Sequence, residues 1–192
     1  MSQSPETAAR ISPLAPPYAA DVQARFDRIM PPGVPPLTLF RVMARDDRLY
    51  QRFAGASLLD PGHLSLRQRE IVIDRVTARC GSEYEWGVHV AFFGKRAELT
   101  QAQLVSLVHG SAIDPCWSQE DRVLIEVADS LERQSDICDD LWQRACGHFS
   151  AHALIEITML AGFYRMVSYL TNALRLPLEP YAARFPASAI SP

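Results

Sequence analysis

The 192-residue sequence lacks the cysteine spacing of a disulfide framework or a zinc site. It contains four cysteines, Cys80, Cys116, Cys138 and Cys146. None of them forms a Cys-x-x-Cys pair, and in a cytosolic protein we expect all four to be reduced thiols. Glu85 and His89 have the helical spacing of two metal ligands, but a full ligand set is not visible. We therefore predict neither a structural disulfide nor a metal.

Clustered basic charge is also absent. The chain has 19 Lys and Arg against 22 Asp and Glu, a net charge of −3 and a pI near 5.9, which disfavours a nucleic-acid surface. The N-terminal stretch has no apolar core of a signal peptide. The longest apolar run, 153–174, contains Glu156, Arg165 and Asn172, which would be costly in lipid. We expect a cytoplasmic protein without membrane partners, in which this run is a core or subunit-interface helix.

Period-two alternation of apolar residues is missing, so we predict an all-α protein of about seven to nine helices. Apolar residues make up 48% of the chain, enough for one sizeable core. We divide the chain into an N-terminal arm with a short helix (1–36), a main domain (37–180) and a surface tail (181–192). The predicted helices cover 21–30, one or two segments within 37–59, 65–80, 82–97, 100–109, 118–133, 139–146 and 150–174.

The stretch 66–96 is the one place where the sequence argues for chemistry. Ser65 with Gln68 is a capping-box pattern that opens one helix, and Gly81 ends it. In the next helix, Glu85 lies one turn before His89, so both fall on one face. With a further carboxylate on the preceding helix, these side chains form a candidate acid/base cluster.

A known family shares this pattern. The run from 67 to 100 reads RQREIVIDRVTARCGSEYEWGVHVAFFGKRAELT. It resembles the central motif of the carboxymuconolactone decarboxylase family, which includes the AhpD-like alkylhydroperoxidases. Glu70 and His89 match the glutamate and histidine of that motif, while Ser82 and Glu85 occupy its two cysteine positions. The resemblance implies an AhpD-like helical bundle that assembles as a homo-oligomer, a dimer, trimer or hexamer.

The departure at positions 82 and 85 disfavours the peroxidase branch of the family. That branch uses one thiolate to attack the peroxide and a second cysteine to resolve the intermediate. Ser82 cannot form a disulfide and Glu85 cannot resolve one. Cys80 lies two residues early and has no nearby cysteine in sequence.

The resemblance to the decarboxylase branch implies loss of CO2 from a small unsaturated lactone or keto acid without a cofactor. Such a reaction needs stabilisation of a developing oxyanion and an acid that protonates carbon. His89 is the natural proton carrier, Glu70 can orient it or hold a proton, and Glu85 is a second acid or base. Further candidates for contact with substrate are Ser82, Arg69, Trp86 and Arg96.

Each of these residues also has a purely structural interpretation. Ser82 and Glu85 can form a capping box, His89 can be a hydrogen-bonded core residue, and Arg69 can bridge buried carbonyls. The chain would then be a non-catalytic oligomeric helical protein or a small-molecule binder. An enclosed polar pocket containing Glu70, Glu85 and His89 favours the enzyme. Close packing of these side chains without a cavity favours the structural alternative.

Overall fold

A computed structural model of the chain describes residues 9–187, and these residues confirm the all-helical fold. They form nine α-helices and one π-helical segment, without strands. The α-helices are α1 Ala20–Ile29, α2 Thr38–Met43, α3 Asp47–Ala54, α4 Leu66–Arg79, α5 Glu83–His89, α6 Gln101–His109, α7 Gln119–Gln134, α8 Asp139–Cys146 and α9 Ala151–Ala173. The π-helical segment, Val90–Gly94, directly follows α5.

Local capping signals set several helix ends. Ser65 and Gln68 form the predicted capping box at the start of α4, and Thr100 and Gln103 form a second one before α6. Gly81 separates α4 from α5 at a φ of 64°, a left-handed conformation that glycine adopts without steric strain. The break between the two helices that carry the candidate site is therefore encoded locally.

Helix α4 lies at the centre of the bundle, in contact with α5, α6, α7 and α9. Its residues 70–77 are all buried, so the helix is enclosed around its whole circumference. Glu70 and Thr77 lie at the edges of the apolar arc that Val72, Ile73 and Val76 form on this helix. Both side chains are fully buried, together with Asp74 and Arg75.

Arg75 ties the central helix to its neighbours. Its guanidinium donates to both carboxylate oxygens of Asp129 on α7, at 2.7 and 2.8 Å. It also donates to the backbone oxygens of Ser106, Leu107 and Gly110 at the end of α6. A charge buried this deeply is stable only with its partner and its hydrogen bonds in place.

The π-helical segment interrupts the single helix predicted over 82–97. Regular α-helix ends at His89, and the wider turn continues to Gly94. A π-turn inserts extra backbone and rotates the following side chains away from their α-helical positions. Regular α-helical spacing would place Phe92 and Arg96 on the same face as Glu85 and His89. The π-turn rotates them away from that face.

Both ends of the described chain are fastened to the bundle. In the N-terminal arm, the Arg10 amide donates to the Leu174 carbonyl at 2.8 Å, and Arg41 Nε donates to the Leu14 carbonyl at 2.7 Å. The C-terminal tail covers α5, because the Ala183 amide donates to the Gly87 carbonyl at 3.0 Å. Residues 1–8 of the predicted arm and 188–192 of the predicted surface tail lie outside the described residues.

Within residues 9–187, α9 is the single helix long and apolar enough to cross a membrane by length and composition alone. One of its faces contributes Leu154, Ile157, Leu160 and Val167 to the protein core. Core packing therefore accounts for part of its hydropathy.

We predict that Asp129→Ala destabilises the protein far more than Asp140→Ala. The first change leaves the buried Arg75 charge without its partner, which typically lowers the free energy of unfolding by about 3–5 kcal/mol. The second removes an exposed carboxylate that lies 3.4 Å from Arg144, an arrangement worth at most about 1 kcal/mol. Urea unfolding followed by circular dichroism measures both changes. Equal unfolding midpoints for the two variants would contradict the structural role of Arg75.

Candidate active site

The candidate site is built on the pairing of Glu70 with His89. The break at Gly81 lets α5 pack beside α4, and the Nδ1 atom of His89 lies 2.8 Å from Oε2 of Glu70. The other carboxylate oxygen of Glu70 accepts from Arg69, at 3.0 Å from Nε and 2.9 Å from Nη2. Both Glu70 and His89 are buried, so this contact is shielded from water.

Glu85 approaches the imidazole from the other side. One turn before His89 on α5, its Oε1 atom lies 3.5 Å from Nε2 of the imidazole. Its other oxygen, Oε2, is buried and has no hydrogen-bond partner among the described residues. The imidazole therefore lies between two carboxylates, one of which has a free acceptor oxygen.

These carboxylates govern the protonation of the imidazole. Burial lowers the pKa of His89, but Glu70 and then Glu85 more than offset this effect and raise it from 6.5 to about 10. The side chain is thus an imidazolium at neutral pH, with both ring nitrogens available as donors. An unperturbed imidazole loses its charge near pH 6.5, whereas this geometry gives a histidine that stays charged well above neutrality.

Aromatic rings enclose the imidazolium. The ring of Tyr164 on α9 meets it edge-on at a centroid distance of 4.9 Å, and that of Phe93 lies at 5.4 Å. Burial, followed by repulsion from Glu85 and Glu70, raises the pKa of Tyr164 well above its usual value. Its phenol is therefore neutral and able to donate a hydrogen bond.

His89 and Glu85 open onto a cavity of about 190 Å³ between α2, α3, α5, the π-helical segment and α9. Glu70 lies behind His89 and does not line it. The wall is mostly apolar and includes Leu37, Phe40, Phe53, Val88, Phe92 and Phe163. The site is therefore an apolar cavity with a polar end, rather than the polar pocket containing all three residues that the enzyme hypothesis predicted.

The remaining predicted residues lie in different places. Arg96 is exposed and lines the cavity, with its guanidinium 5.8 Å from the centre of the Phe93 ring. Arg69 is occupied by Glu70 and by the Leu59 carbonyl, 2.8 Å away. Trp86 is buried, with its ring 5.2 Å from that of Phe185 in the C-terminal tail, and it is not part of the cavity wall.

Ser82 is fully buried away from the cavity, with its hydroxyl 2.7 Å from that of Thr171 on α9. It also accepts from the Glu85 amide at 3.5 Å, which is the first half of the predicted capping box. The second half is not formed, because the Glu85 carboxylate turns toward His89 instead. Helix capping therefore explains Ser82 but not the position of the Glu85 side chain.

Asp74 is the main residue that the sequence reasoning missed. It lies one turn after Glu70 on α4, is fully buried, and has no hydrogen-bond partner for either oxygen among residues 9–187. Burial, followed by repulsion from Glu70, raises its pKa well above the usual value, which favours the protonated carboxyl. The i, i+4 spacing from Glu70 was the available signal. Tyr164, 75 positions after His89, offered no such signal.

Comparison with known proteins supports the family resemblance. Residues 47–129 match the model of the carboxymuconolactone decarboxylase family, a segment that contains Glu70, Glu85 and His89. The resemblance inferred from the sequence is thereby confirmed over that segment. No curated protein sequence matches the chain.

Solved structures share the fold over most of the chain. The crystal structure of an uncharacterized peroxidase-related protein from Silicibacter sp. TM1040 gives a TM-score of 0.81 at 19% identity, covering 96% of this chain and 99% of that one. An AhpD-core peroxidase-related protein from Ralstonia eutropha JMP134 gives 0.71 at 14% identity, covering 88% and 93%. The debrominase Bmp8 in complex with 2,3,4-tribromopyrrole gives 0.69 at 13% identity, covering 89% and 92%. At these identities the likeness establishes the AhpD-like fold alone.

We predict that the stabilising effect of Glu70 depends on pH. The folded pKa of His89 is about 10 against an ordinary value of 6.5, so the stability that it contributes is complete below pH 6.5 and is lost as pH rises through 10. Glu70→Gln removes the main cause of the raised pKa. The difference in unfolding free energy between the native chain and this variant should therefore be largest near pH 6.5 and shrink toward pH 10.

Urea unfolding at a series of pH values measures this difference. Glu126→Gln is the matched control, because Glu126 lies on the surface beside Arg144, which keeps its charge over this range. Its difference from the native chain should stay constant. A pH-independent difference for Glu70→Gln as well would contradict the charged state of His89.

Proposed function

We propose that the protein is a cofactor-free acid/base enzyme, a lyase that removes CO2 from a small unsaturated lactone or keto acid. The observation that carries this proposal is the imidazolium of His89, held between Glu70 and Glu85 at the polar end of an apolar cavity. The match to the carboxymuconolactone decarboxylase family over 47–129 supports the same reaction class.

The charged imidazole suits both requirements of such a reaction. When the bond between carbon and the carboxylate breaks, CO2 leaves and the electron pair moves into the substrate carbonyl to form an enolate. His89 stabilises the enolate oxygen as an imidazolium and delivers the proton that forms the new C–H bond. Solvent then returns a proton to the imidazole. The substrate itself is the electron sink, so the step balances without a metal or organic cofactor.

The neighbouring side chains have distinct roles in this scheme. Glu70 positions His89 and keeps it charged through the 2.8 Å contact. Glu85 presents its unpartnered Oε2 as an acceptor for a substrate hydroxyl, or as a base. Arg96, exposed at the edge of the cavity, is the cation available to attract an acidic substrate.

The cavity limits the size and polarity of the substrate. About 190 Å³ is below the range of about 300–1,000 Å³ that is typical for drug-sized ligands. The apolar wall favours a mostly hydrocarbon ring with one polar end. The tribromopyrrole bound by Bmp8 is also a small ring, which supports this size class by fold analogy alone.

Thiol peroxidase activity is disfavoured on this geometry. Cys80 is at the end of α4 and does not line the cavity. Burial raises the pKa of its thiol, the opposite of the shift that a reactive thiolate needs. A non-catalytic small-molecule binder remains the alternative, since an open cavity serves binding as well as catalysis.

We expect His89→Ala to lower kcat/KM for decarboxylation by a factor of about 10²–10⁴, the usual contribution of a general acid. Unsaturated lactone acids and 3-keto acids are screened for CO2 release with the native chain, His89→Ala and Glu85→Gln. The matched control is His148→Ala, because His148 is exposed on the surface and lies outside the cavity. Its rate should equal that of the native chain.

A second arm of the assay supplies hydroperoxides with a dithiol reductant. Peroxide reduction by the native chain that is lost in Cys80→Ser would contradict the argument against thiol chemistry. Calorimetry measures the binding of substrate analogues. Binding without any turnover would contradict the lyase and favour the small-molecule binder. CO2 release that is equal in the native chain and in His89→Ala would overturn the assignment of the site.

A further inference from the structure

Two polar groups at the inner end of the cavity have no hydrogen-bond partner within residues 9–187. One is the Oε2 atom of Glu85. The other is the hydroxyl of Tyr164, a residue that is 2% exposed and lines the same cavity. Buried polar atoms are paired in most folded proteins, so each unpaired one needs an explanation. Two of them beside one imidazole point to a ligand as the missing partner.

Tyr84 shows how the same chain treats a buried phenol away from the cavity. It is 3% exposed, and its hydroxyl accepts from the Leu39 amide at 3.1 Å and donates to Oε1 of Glu179 at 2.6 Å. These hydrogen bonds contribute to the raised pKa of Tyr84, whereas burial and neighbouring charges alone act on the pKa of Tyr164. The unpaired phenol is therefore found at the cavity and not at the comparable buried position outside it.

The inner end of the cavity thus offers two donors and one acceptor. The Nε2–H group of His89 lies 3.5 Å from Oε1 of Glu85, which is too long for a strong hydrogen bond, so this donor is available to a ligand. The neutral phenol of Tyr164 is the second donor. The acceptor is Oε2 of Glu85. A carbonyl oxygen has two lone pairs and can accept from both donors at once.

The charges at this end favour a neutral ligand group. His89 and Arg69 balance Glu70 and Glu85, and a neutral group keeps that balance. A ligand carboxylate in the same position would be repelled by Glu85 and would give the cluster a net negative charge. Arg96, exposed on the cavity wall, is the cation that can take a substrate carboxylate. The neutral polar atoms of a substrate therefore face the inner end, and its acid group faces Arg96.

We propose that the site selects a ring with an N–H or enolic O–H group on the atom next to a carbonyl, such that His89 and Tyr164 bind the carbonyl oxygen and Glu85 accepts from the neighbouring donor. Lactams and the enol forms of cyclic 1,2-diones belong to this class. A lactone does not, because its ring oxygen carries no hydrogen and would lie against the Glu85 carboxylate. The inference rests on the proposed function and narrows its substrate from a lactone or keto acid to a ring of this kind.

Two rings of matched size and shape test the need for a donor without any turnover. δ-Valerolactam has an N–H group beside its carbonyl, and δ-valerolactone has a ring oxygen in that place. Each is titrated into the full-length chain and followed through the ¹⁵N shifts of the His89 imidazole. The lactam should bind about 10- to 100-fold more tightly, because the lactone leaves the Glu85 acceptor facing an oxygen. Equal affinities, or binding of neither ring, would overturn the inference.

Two variants assign the preference to particular side chains. In Glu85→Gln, the amide oxygen accepts from the His89 imidazolium and the amide NH₂ group faces the cavity, so the preference for the lactam should be lost. Tyr164→Phe removes one donor to the carbonyl, which both rings share, so both should bind about 2- to 10-fold more weakly while the preference stays. A preference that survives Glu85→Gln would refute the role of Glu85.

Matched controls remove the same chemical groups outside the cavity. Tyr169→Phe removes a phenol from the exposed side of α9, and Glu126→Gln removes a surface carboxylate. Both variants should bind the two rings as the native chain does. Circular dichroism checks the fold of every variant, and the comparison of the two rings on the native chain does not depend on any variant.

This binding test and the assay for CO2 release fail separately. A preference for the lactam together with no CO2 release from any acid would support the ligand class and contradict the lyase. CO2 release together with equal affinities for the two rings would support the lyase and overturn the ligand class.

Discussion

The structure depends on a histidine charge buried at its centre. His89 and Arg69 supply two positive charges, and Glu70 and Glu85 supply two negative ones, so the cluster is balanced. Charges that are removed from water remain ionised only when each has its partner within hydrogen-bond reach. The positions of α4 and α5 are therefore constrained by this cluster as well as by apolar packing.

The central helix carries two such constraints. Near its start, Glu70 joins α4 to α5, and farther along, Arg75 joins it to α6 and α7 through Asp129. Between them lies Asp74, which has a raised pKa and no hydrogen-bond partner in the described part of the chain. A buried polar group left unsatisfied reduces stability, and such groups tend to persist where function requires them. Glu70 and Asp74, two of the buried polar groups of α4, thus lie close to His89.

Local sequence signals made the helix ends and the pairing of Glu70 with His89 predictable. The capping residues Ser65 and Thr100 and the break at Gly81 fix helix ends by short-range chemistry, and the motif placed Glu70 beside His89. The π-turn after His89 and the full burial of α4 were not predictable, because tertiary packing decides them. The cavity wall also depends on side chains far apart in sequence, such as Phe40 and Tyr164.

The measurement that tests the account most directly is an NMR titration of the His89 imidazole, with ¹⁵N shifts assigned by comparison with His89→Gln. The account predicts that both ring nitrogens stay protonated through neutral pH and that the apparent pKa is near 10. An imidazole that titrates near its usual pKa of about 6.5 would contradict it. The carboxylates would then not hold His89 charged, and the imidazolium on which the proposed reaction relies would be the minor form at neutral pH.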